Sequence, residues 1–282
     1  MSSALITSLI FTAAVSGLCF LPGFFVSRYF FGNDFKTLSV WEKTVFSFAI
    51  STGLLIFGMI ALGHAGILFT PLSLVSLTIA TTLAACTLLS LSARRRKKDA
   101  SLKSAGWQFS KRQSILFLLI IASTVLIKTV YLAPNIIPAS TDLGHHMYWA
   151  KLISQTGELP VYAEQNIVEE DGRYRITEPE PIADFIIGEH LPFAALEITS
   201  QAGFFSAFPI VFLALINFLA IFALAALAFH LVRGLDLPQL SKGIWTGENA
   251  FLLTLFFFGP LYTLASPQEK FVSGGVVGNT FG

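Results

Sequence analysis

The sequence FPIVFLALINFLAIFALAALAFHLV, residues 208–232, contains no Lys, Arg, Asp or Glu. A helix needs about 20 mostly apolar residues to cross the hydrocarbon core of a bilayer, so this segment predicts a transmembrane helix. The rest of the chain has the same character. Its 282 residues are 54% hydrophobic and only 12% charged, whereas soluble domains carry about 25% charged residues. The composition therefore predicts an all-α integral membrane protein.

Five further apolar segments resemble residues 208–232 in length or composition, so about six transmembrane helices are expected. The first segment in the chain, Ala4–Val26, has no Lys or Arg before its apolar run. It therefore lacks the positive region of a signal peptide and is interpreted as a true span. The predicted spans are Ala4–Val26, Val45–Leu62, Thr70–Leu91, Ile115–Leu132, Phe208–Val232 and Ala250–Ala265.

Basic residues predict which side of the membrane each loop occupies, because cytoplasmic loops are enriched in Lys and Arg. The loop at 93–113 holds eight of them, and segments 27–44 and 233–249 add five more. The opposite side receives only four, so both termini and the large loop 133–207 are predicted to be exoplasmic. The basic loop is interpreted as a topology determinant, with binding to lipid headgroups as the alternative.

Composition also excludes some functional classes. The net charge is +1, so no overall basic field indicates a nucleic-acid partner. Cys19 and Cys86 both lie in apolar runs and form neither a disulfide framework nor a zinc motif. The chain divides into a four-span region at 1–132, the exoplasmic loop at 133–207, and a two-span region at 208–282.

The exoplasmic loop differs chemically from the rest of the chain, since it holds eleven of the seventeen acidic residues. Its first part reads STDLGHHMYWAKL, residues 140–152. Ser140, Thr141 or Asp142 can cap a surface-lying helix that ends near Thr156, with Gly157 as its stop. Within that helix, Asp142, His145, His146 and Trp149 are spaced to share one face.

That shared face predicts a candidate site at the membrane boundary. Asp142 is the candidate general base, and His145 and His146 are candidate ligands of a phosphate, a sugar or a divalent metal. Trp149 is suited to stacking on a sugar or to anchoring at the headgroup level. The alternatives remain open: Asp142 as a plain helix cap, and the two histidines as solvated loop residues.

A second polar cluster lies in EPEPIADFIIGEHLPFAAL, residues 178–196. Its pattern predicts a re-entrant or surface-lying segment, in which Glu189 and His190 are candidate substrate or metal ligands; a solvated acidic loop is the alternative. Lys128, near the outer end of the fourth span, is a candidate ligand for a carrier-lipid phosphate or an interfacial lysine. Between the clusters, QNIVEE and RYRITE flank Gly172 and predict two short strands joined by a turn.

The stretch STDLGHHMYWAKLISQTGELP resembles the first large exoplasmic loop of membrane glycosyltransferases of the GT-C class, which include oligosaccharyltransferase catalytic subunits, protein mannosyltransferases and aminoarabinose transferases. In that class an acidic residue just after a span precedes a polar, aromatic helix and a Gly-x-Leu-Pro exit. Asp142 matches the acid, His145 and His146 match the histidine region, and residues 157–160 match the exit.

The resemblance implies transfer of a sugar from a polyprenyl-phosphate carrier to an acceptor at the exoplasmic face of the cell membrane. It implies that Asp142 acts as base or as a metal and acceptor ligand. The chain departs from the class in that this loop follows the fourth span and that no tandem acid pair follows Asp142, which bears on metal dependence. It also ends at SGGVVGNTFG without a closing basic segment, so a longer protein is expected. A transporter subunit and a non-catalytic assembly or sensor protein are the alternative functions.

Overall fold

The computed structural model describes residues 3–95, 107, 109–132, 141–162, 167–176, 180–181, 187–204, 206–234 and 246–265. Within these residues the fold is mainly helical, as the composition predicted. The α-helices are α1 (Ser3–Cys19), α2 (Leu21–Phe31), α3 (Val40–His64), α4 (Pro71–Arg95), α5 (Lys111–Leu132), α6 (Thr141–Thr156), α7 (Ile187–Ser200), α8 (Phe208–Gly234), α9 (Gly247–Phe256) and α10 (Tyr262–Ala265).

Five helical runs are long and apolar enough to cross a membrane. These features support a multi-pass membrane protein. The runs are Ala4–Phe31, Val40–His64, Pro71–Leu91, Lys111–Val130 and Phe208–Gly234.

The predicted sixth span, Ala250–Ala265, is helical in the structure but irregular. Between α9 and α10 a π-helical turn spans Phe257–Leu261 and contains Pro260. Proline has no N–H to donate, so the regular α-helical bonding cannot continue through it. This run is not among the five that meet the length and hydropathy requirements, and the sixth span stays a prediction.

Helix α3 begins at Val40, five residues before the predicted start of the second span. Ser39 and Glu42 form a capping box there: the Ser39 N–H donates to Glu42 Oε2 at 2.7 Å, and the Glu42 N–H donates to Ser39 Oγ at 3.2 Å. This reciprocal pair satisfies two N–H groups that would otherwise lack partners. The local signal Ser-Val-Trp-Glu therefore sets the helix start, although hydropathy alone does not detect it.

Helix α2 packs closely on α3 at Gly23. The Gly23 N–H donates to Ser51 Oγ at 2.7 Å, and a Cβ at this position would lie 2.1 Å from the carbonyl oxygen of Ser47. Any larger residue would collide with the backbone of α3. A glycine in the first predicted span thus permits the two helices to meet.

Buried side chains form two hydrophobic clusters. The larger contains residues of α1, α3, α4, α6, α7 and the first half of α8. The smaller joins α5, the second half of α8 and α9, and contains Phe222, Phe229 and Phe251. In or beside it, Trp41 stacks on Phe222 at 4.3 Å between ring centroids, and Trp107 stacks on Phe229 at 4.2 Å. Trp107 belongs to the basic loop and contacts α8 at this position.

Helices α5 and α9 run in the same direction. Near their starts, Gln113 Nε2 donates to Asn249 Oδ1 at 2.9 Å. Further along, Lys128 of α5 contacts Thr263 of α10, which continues the α9 run. The end of the basic loop and the start of α9 therefore lie at one end of the helices, an arrangement in keeping with the predicted sidedness.

Strands β2 (Ile167–Glu170) and β3 (Arg173–Ile176) pair in antiparallel register, which confirms the predicted short strands. Asp171 and Gly172 connect them with φ of 55° and 71°, the conformation that a type I′ hairpin turn requires. Outside this hairpin, β1 (Val161–Tyr162) pairs with β4 (Glu180–Pro181). The β1–β4 pair was not predicted from the sequence, and it adds a second short antiparallel pair between α6 and α7.

Candidate functional site

The helix predicted from Asp142 to Thr156 is confirmed as α6, Thr141–Thr156. Gly157 ends it with φ of 70°, and its N–H donates to Ile153 O at 2.8 Å. The carbonyl of Gly157 then accepts the N–H of Phe69 at 2.6 Å. Because a side chain disfavours this left-handed conformation, glycine both stops α6 and fastens its end to the loop between α3 and α4.

Helix α6 has one buried face and one exposed face. Met147, Ala150 and Ile153 are buried, whereas Tyr148 is 61% exposed. Trp149 is half-buried and its ring meets Tyr148 edge-on, with 5.8 Å between centroids. The side chains of Asp142, His145 and His146 lie outside the described residues, so their shared face remains a prediction from helical spacing.

The second polar cluster continues into helix α7, Ile187–Ser200. The alternative of a solvated acidic loop is wrong for this part of the cluster, since Glu189 and His190 lie in a helix whose Leu191, Phe193 and Leu196 are completely buried. Alternating bulky and small apolar residues let α7 insert among α1, α3 and α6. Pro192 is the sixth residue of the helix and does not end it; it removes only the N–H that would donate to the carbonyl of Gly188.

Helix α7 begins beside the middle of α3 and ends at the loop that follows α3. A Cβ placed on Gly188 would lie 3.9 Å from Ile56 Cγ2. At the other end, Glu197 and Phe69 line the same cleft. Ile56 lies eight residues before the end of α3, or about 12 Å at 1.5 Å per residue. The start of α7 therefore lies about 12 Å from the level of the C-terminal end of α3, and the re-entrant interpretation stays a prediction.

Glu189 and His190 lie at the start of α7. Both side chains are 5% exposed, and Glu189 Oε1 lies 3.8 Å from His190 Nε2. Charged residues are rarely buried this completely without partners. A carboxylate next to an imidazole in an enclosed position can hold a proton, a hydroxyl group or a cation.

Helices α6 and α7 pack against each other and run in the same direction. Their C-terminal halves converge, since the Ser154 hydroxyl donates a short hydrogen bond to Glu197 and both helices reach the loop 65–71. It follows that both helices start at the other end of the pair. The segment that carries Asp142 and the Glu189–His190 pair therefore lie at the same end of two adjacent helices.

Lys128 is buried in the contact between α5 and α10, with 3% exposure. Its Nζ donates to Thr263 Oγ1 at 3.2 Å, and Thr263 Oγ1 donates to the carbonyl of Gly259 at 2.6 Å. Gly259 lies in the π-helical turn, where carbonyl groups lose their regular α-helical partners. Lys128 therefore packs between helices, and the alternative of a lysine that reaches to the interface does not describe this position.

Two polar features were not singled out from the sequence. The first is Glu197, which lies in a cleft of about 460 Å³ lined by Phe69, Thr70, Pro71, Ser154, Gln155, Glu197, Ile198 and Gln201. The second is a pair between Glu42 and His230, whose Oε1 and Nε2 atoms are 2.5 Å apart. Neither has a local sequence signal, because the partners are 43 and 188 residues apart.

Within the part of the chain that the structure describes, no group of three or more His, Cys, Asp and Glu side chains has the geometry to hold a metal ion. The Glu189–His190 pair supplies one carboxylate and one imidazole, and both are ordinary ligands of divalent transition metals. A complete metal site would need ligands from outside the described side chains, such as Asp142. The metal prediction thus depends on residues 142–146.

No protein-family model, characterised protein or solved structure matches this chain significantly.

Proposed function

We propose that this chain is a multi-pass membrane glycosyltransferase of the GT-C type. It transfers a sugar from a polyprenyl-phosphate carrier to an acceptor at the exoplasmic face of the cell membrane. One observation carries the proposal: the start of α6, with Asp142, and the buried Glu189–His190 pair lie at the same end of a parallel helix pair. The sequence predicted these two segments as the two halves of one site.

In the proposed reaction, Asp142 accepts the proton of an acceptor hydroxyl group. The hydroxyl oxygen forms a bond to the anomeric carbon of the sugar while the bond from that carbon to the carrier phosphate breaks. The phosphate leaves with the electron pair. General-base assistance of this kind contributes about 10²–10⁴ in rate.

The other candidate residues bind and orient the substrates. His145 and His146 donate hydrogen bonds to phosphate or sugar oxygens, and Trp149 offers an aromatic face to the sugar ring. Glu189 and His190 hold the acceptor or a divalent metal ion. Lys128 is the candidate cation that binds the carrier phosphate, from its position between α5 and α10.

The proposal requires the basic loop to be cytoplasmic and residues 133–207 to be exoplasmic. Single cysteines at positions 96 and 168, each in a background without Cys19 and Cys86, test this in intact cells with a membrane-impermeant thiol reagent. We expect labelling at position 168 only. Labelling at position 96 only would put the proposed site on the wrong side of the membrane.

A sugar-transfer assay tests the reaction itself. Membranes that contain the full-length gene product are incubated with a labelled polyprenyl-phosphate sugar, and the label is followed from the lipid phase into acceptors. Membranes that contain the Asp142→Asn variant at the same level serve as control. Equal transfer by the two preparations would contradict the proposal.

A transporter is the second candidate, and buried Lys128 is the observation that favours it. An ionisable residue enclosed between membrane helices often marks an ion or substrate pathway. Purified protein in sealed liposomes distinguishes the two functions. Substrate uptake that disappears in Lys128→Met, without any transfer of sugar from lipid, would favour the transporter.

A further inference from the structure

The cleft at the C-terminal ends of α6 and α7, hereafter the α6–α7 cleft, is separate from the proposed catalytic end of this helix pair. Its volume of about 460 Å³ lies within the range of small-ligand sites, roughly 300–1,000 Å³. Phe69 is 3% exposed at its base, and Pro71 and Ile198 add apolar surface. The remaining lining residues are polar: Thr70, Ser154, Gln155, Glu197 and Gln201.

The carboxylate of Glu197 is held in place by two donors. The Ser154 hydroxyl donates to Oε2, and the Phe204 N–H donates to Oε1 at 3.3 Å. An ionised carboxylate has about four acceptor positions, so two remain for a ligand. Glu197 is therefore oriented before a ligand arrives, which lowers the entropic cost of binding.

Gln201 is fixed at the rim of the cleft in an uncommon conformation. Its φ is 55°, in the left-handed region that residues other than glycine, Asn and Asp seldom adopt. Its N–H donates to the carbonyl of Glu197 at 2.7 Å. The carboxamides of Gln201 and Gln155 can each donate and accept hydrogen bonds, which suits a ligand with hydroxyl groups.

The charge of the cleft selects among polar ligands. Glu197 is the one ionisable residue among those that line it. The Glu197 carboxylate attracts a cation and disfavours a ligand of net negative charge.

We propose that the α6–α7 cleft binds the ammonium group of a small amine, with Glu197 as the charged partner and the Gln155 and Gln201 carboxamides as hydrogen-bond partners of its oxygen atoms. Two sources offer this chemistry: a free amino sugar, through its hydroxyl groups, and the headgroup of phosphatidylethanolamine, through its phosphate ester oxygens. The inference does not depend on the transfer reaction, because binding can be measured without turnover.

The experiment uses the full chain in phosphatidylcholine nanodiscs. Glucosamine, with N-acetylglucosamine as its uncharged analogue, is titrated, and binding is read from the rise of the unfolding temperature that a ligand of the native state produces. A second arm replaces part of the phosphatidylcholine with phosphatidylethanolamine. Stabilisation by glucosamine alone identifies a free amine, and stabilisation by phosphatidylethanolamine alone identifies the lipid headgroup.

Three variants assign the effect to the cleft. Glu197→Gln should weaken binding about 10- to 100-fold, the range for hydrogen bonds to a charged group. Gln155→Ala removes an exposed carboxamide and should weaken binding about 2- to 10-fold without disturbing the fold. Glu158→Gln removes an exposed charge beside the cleft but outside its lining and should leave binding unchanged.

Four results would overturn the proposal. The first is that neither amine stabilises the parent protein. The second is that N-acetylglucosamine stabilises it as well as glucosamine does. The third is that Gln155→Ala and a folded Glu197→Gln variant both bind like the parent. The fourth is loss of binding in Glu158→Gln as well as in Glu197→Gln, which would indicate a diffuse surface field instead of a site.

Discussion

Two carboxylate–histidine pairs, each with a buried carboxylate, differ in how they are assembled. Glu42 and His230 are 188 residues apart and join the start of α3 to the end of α8. Glu189 and His190 are neighbours in sequence at the start of α7. In the first pair the histidine side chain is 55% exposed and its partner 4%. In the second, both are enclosed.

This difference separates a structural role from a chemical one. Glu42 uses one carboxylate oxygen to cap α3 and the other to contact His230, so its position is explained by the fold. Glu189 and His190 are neighbours in sequence, their side-chain atoms are 3.8 Å apart, and they lie at the end of the helix pair that also carries Asp142. An enclosed polar pair close to a second candidate site residue is the better candidate for binding chemistry. Substitutions at four positions test this distinction.

The largest effect is expected at Asp142, on the proposed catalytic end of α6. Asp142→Asn should lower the rate of sugar transfer about 10²–10⁴-fold, because it removes the base while it preserves size. Since Asn caps helices about as well as Asp, expression and stability should match those of the parent. The measurement is the initial rate of transfer in membranes of matched protein content.

Capping alone makes the opposite prediction for Asp142. In that case Asn would be nearly silent and Ala would cost about 1 kcal/mol of helix stability. Parental transfer by a well-expressed Asp142→Asn variant would remove Asp142 as the base.

The next effect concerns stability at the Glu42–His230 pair. Glu42→Ala removes both the cap and the contact with His230, so the free energy of unfolding should fall by about 2–4 kcal/mol. Glu42→Gln is the matched control, because Gln also completes a capping box. In this variant the free energy of unfolding should fall by about 1 kcal/mol or less. Chemical denaturation in detergent micelles measures both. Equal losses for Ala and Gln would show that charge, not capping, sets the role of Glu42.

Glu189→Gln is expected to act on transfer more than on stability. The substitution keeps volume and removes the charge, so transfer should fall about 10- to 100-fold if the carboxylate holds the acceptor, the range for charged hydrogen bonds. The loss should appear in KM more than in kcat for a binding role. A variant that loses stability but not transfer would make Glu189 a structural residue like Glu42.

The smallest effect is expected for His230→Gln. More than half of the His230 side chain is exposed, and exposed ion pairs contribute about 0–1 kcal/mol because water and salt screen them. The free energy of unfolding should therefore change by less than about 1 kcal/mol, and transfer should not change. A loss similar to that of Glu42→Ala would show that the pair is more important than its exposure indicates.

Much of the fold follows from local sequence. Apolar runs specify the long helices, since an apolar chain in lipid must satisfy its backbone hydrogen bonds internally. Asp171 and Gly172 form the hairpin turn that their sequence predicted, and Gly157 ends α6 because it tolerates a positive φ. Each of these features depends on one residue and its neighbours in the chain, so the sequence is enough to predict it.

The position of each polar group relative to others was decided by tertiary structure. Whether α7 lies on a surface or is buried depends on which helices surround it, and no pattern within residues 187–200 specifies its neighbours. Glu197 meets Ser154, and Glu42 meets His230, only after distant helices have packed. The sequence by itself thus predicted a membrane protein with a polar loop and identified Asp142, Glu189 and His190 as candidate site residues. Packing brought the starts of α6 and α7 together and formed the α6–α7 cleft. Only packing could do so, because distant segments come close when their helices are buried against one another.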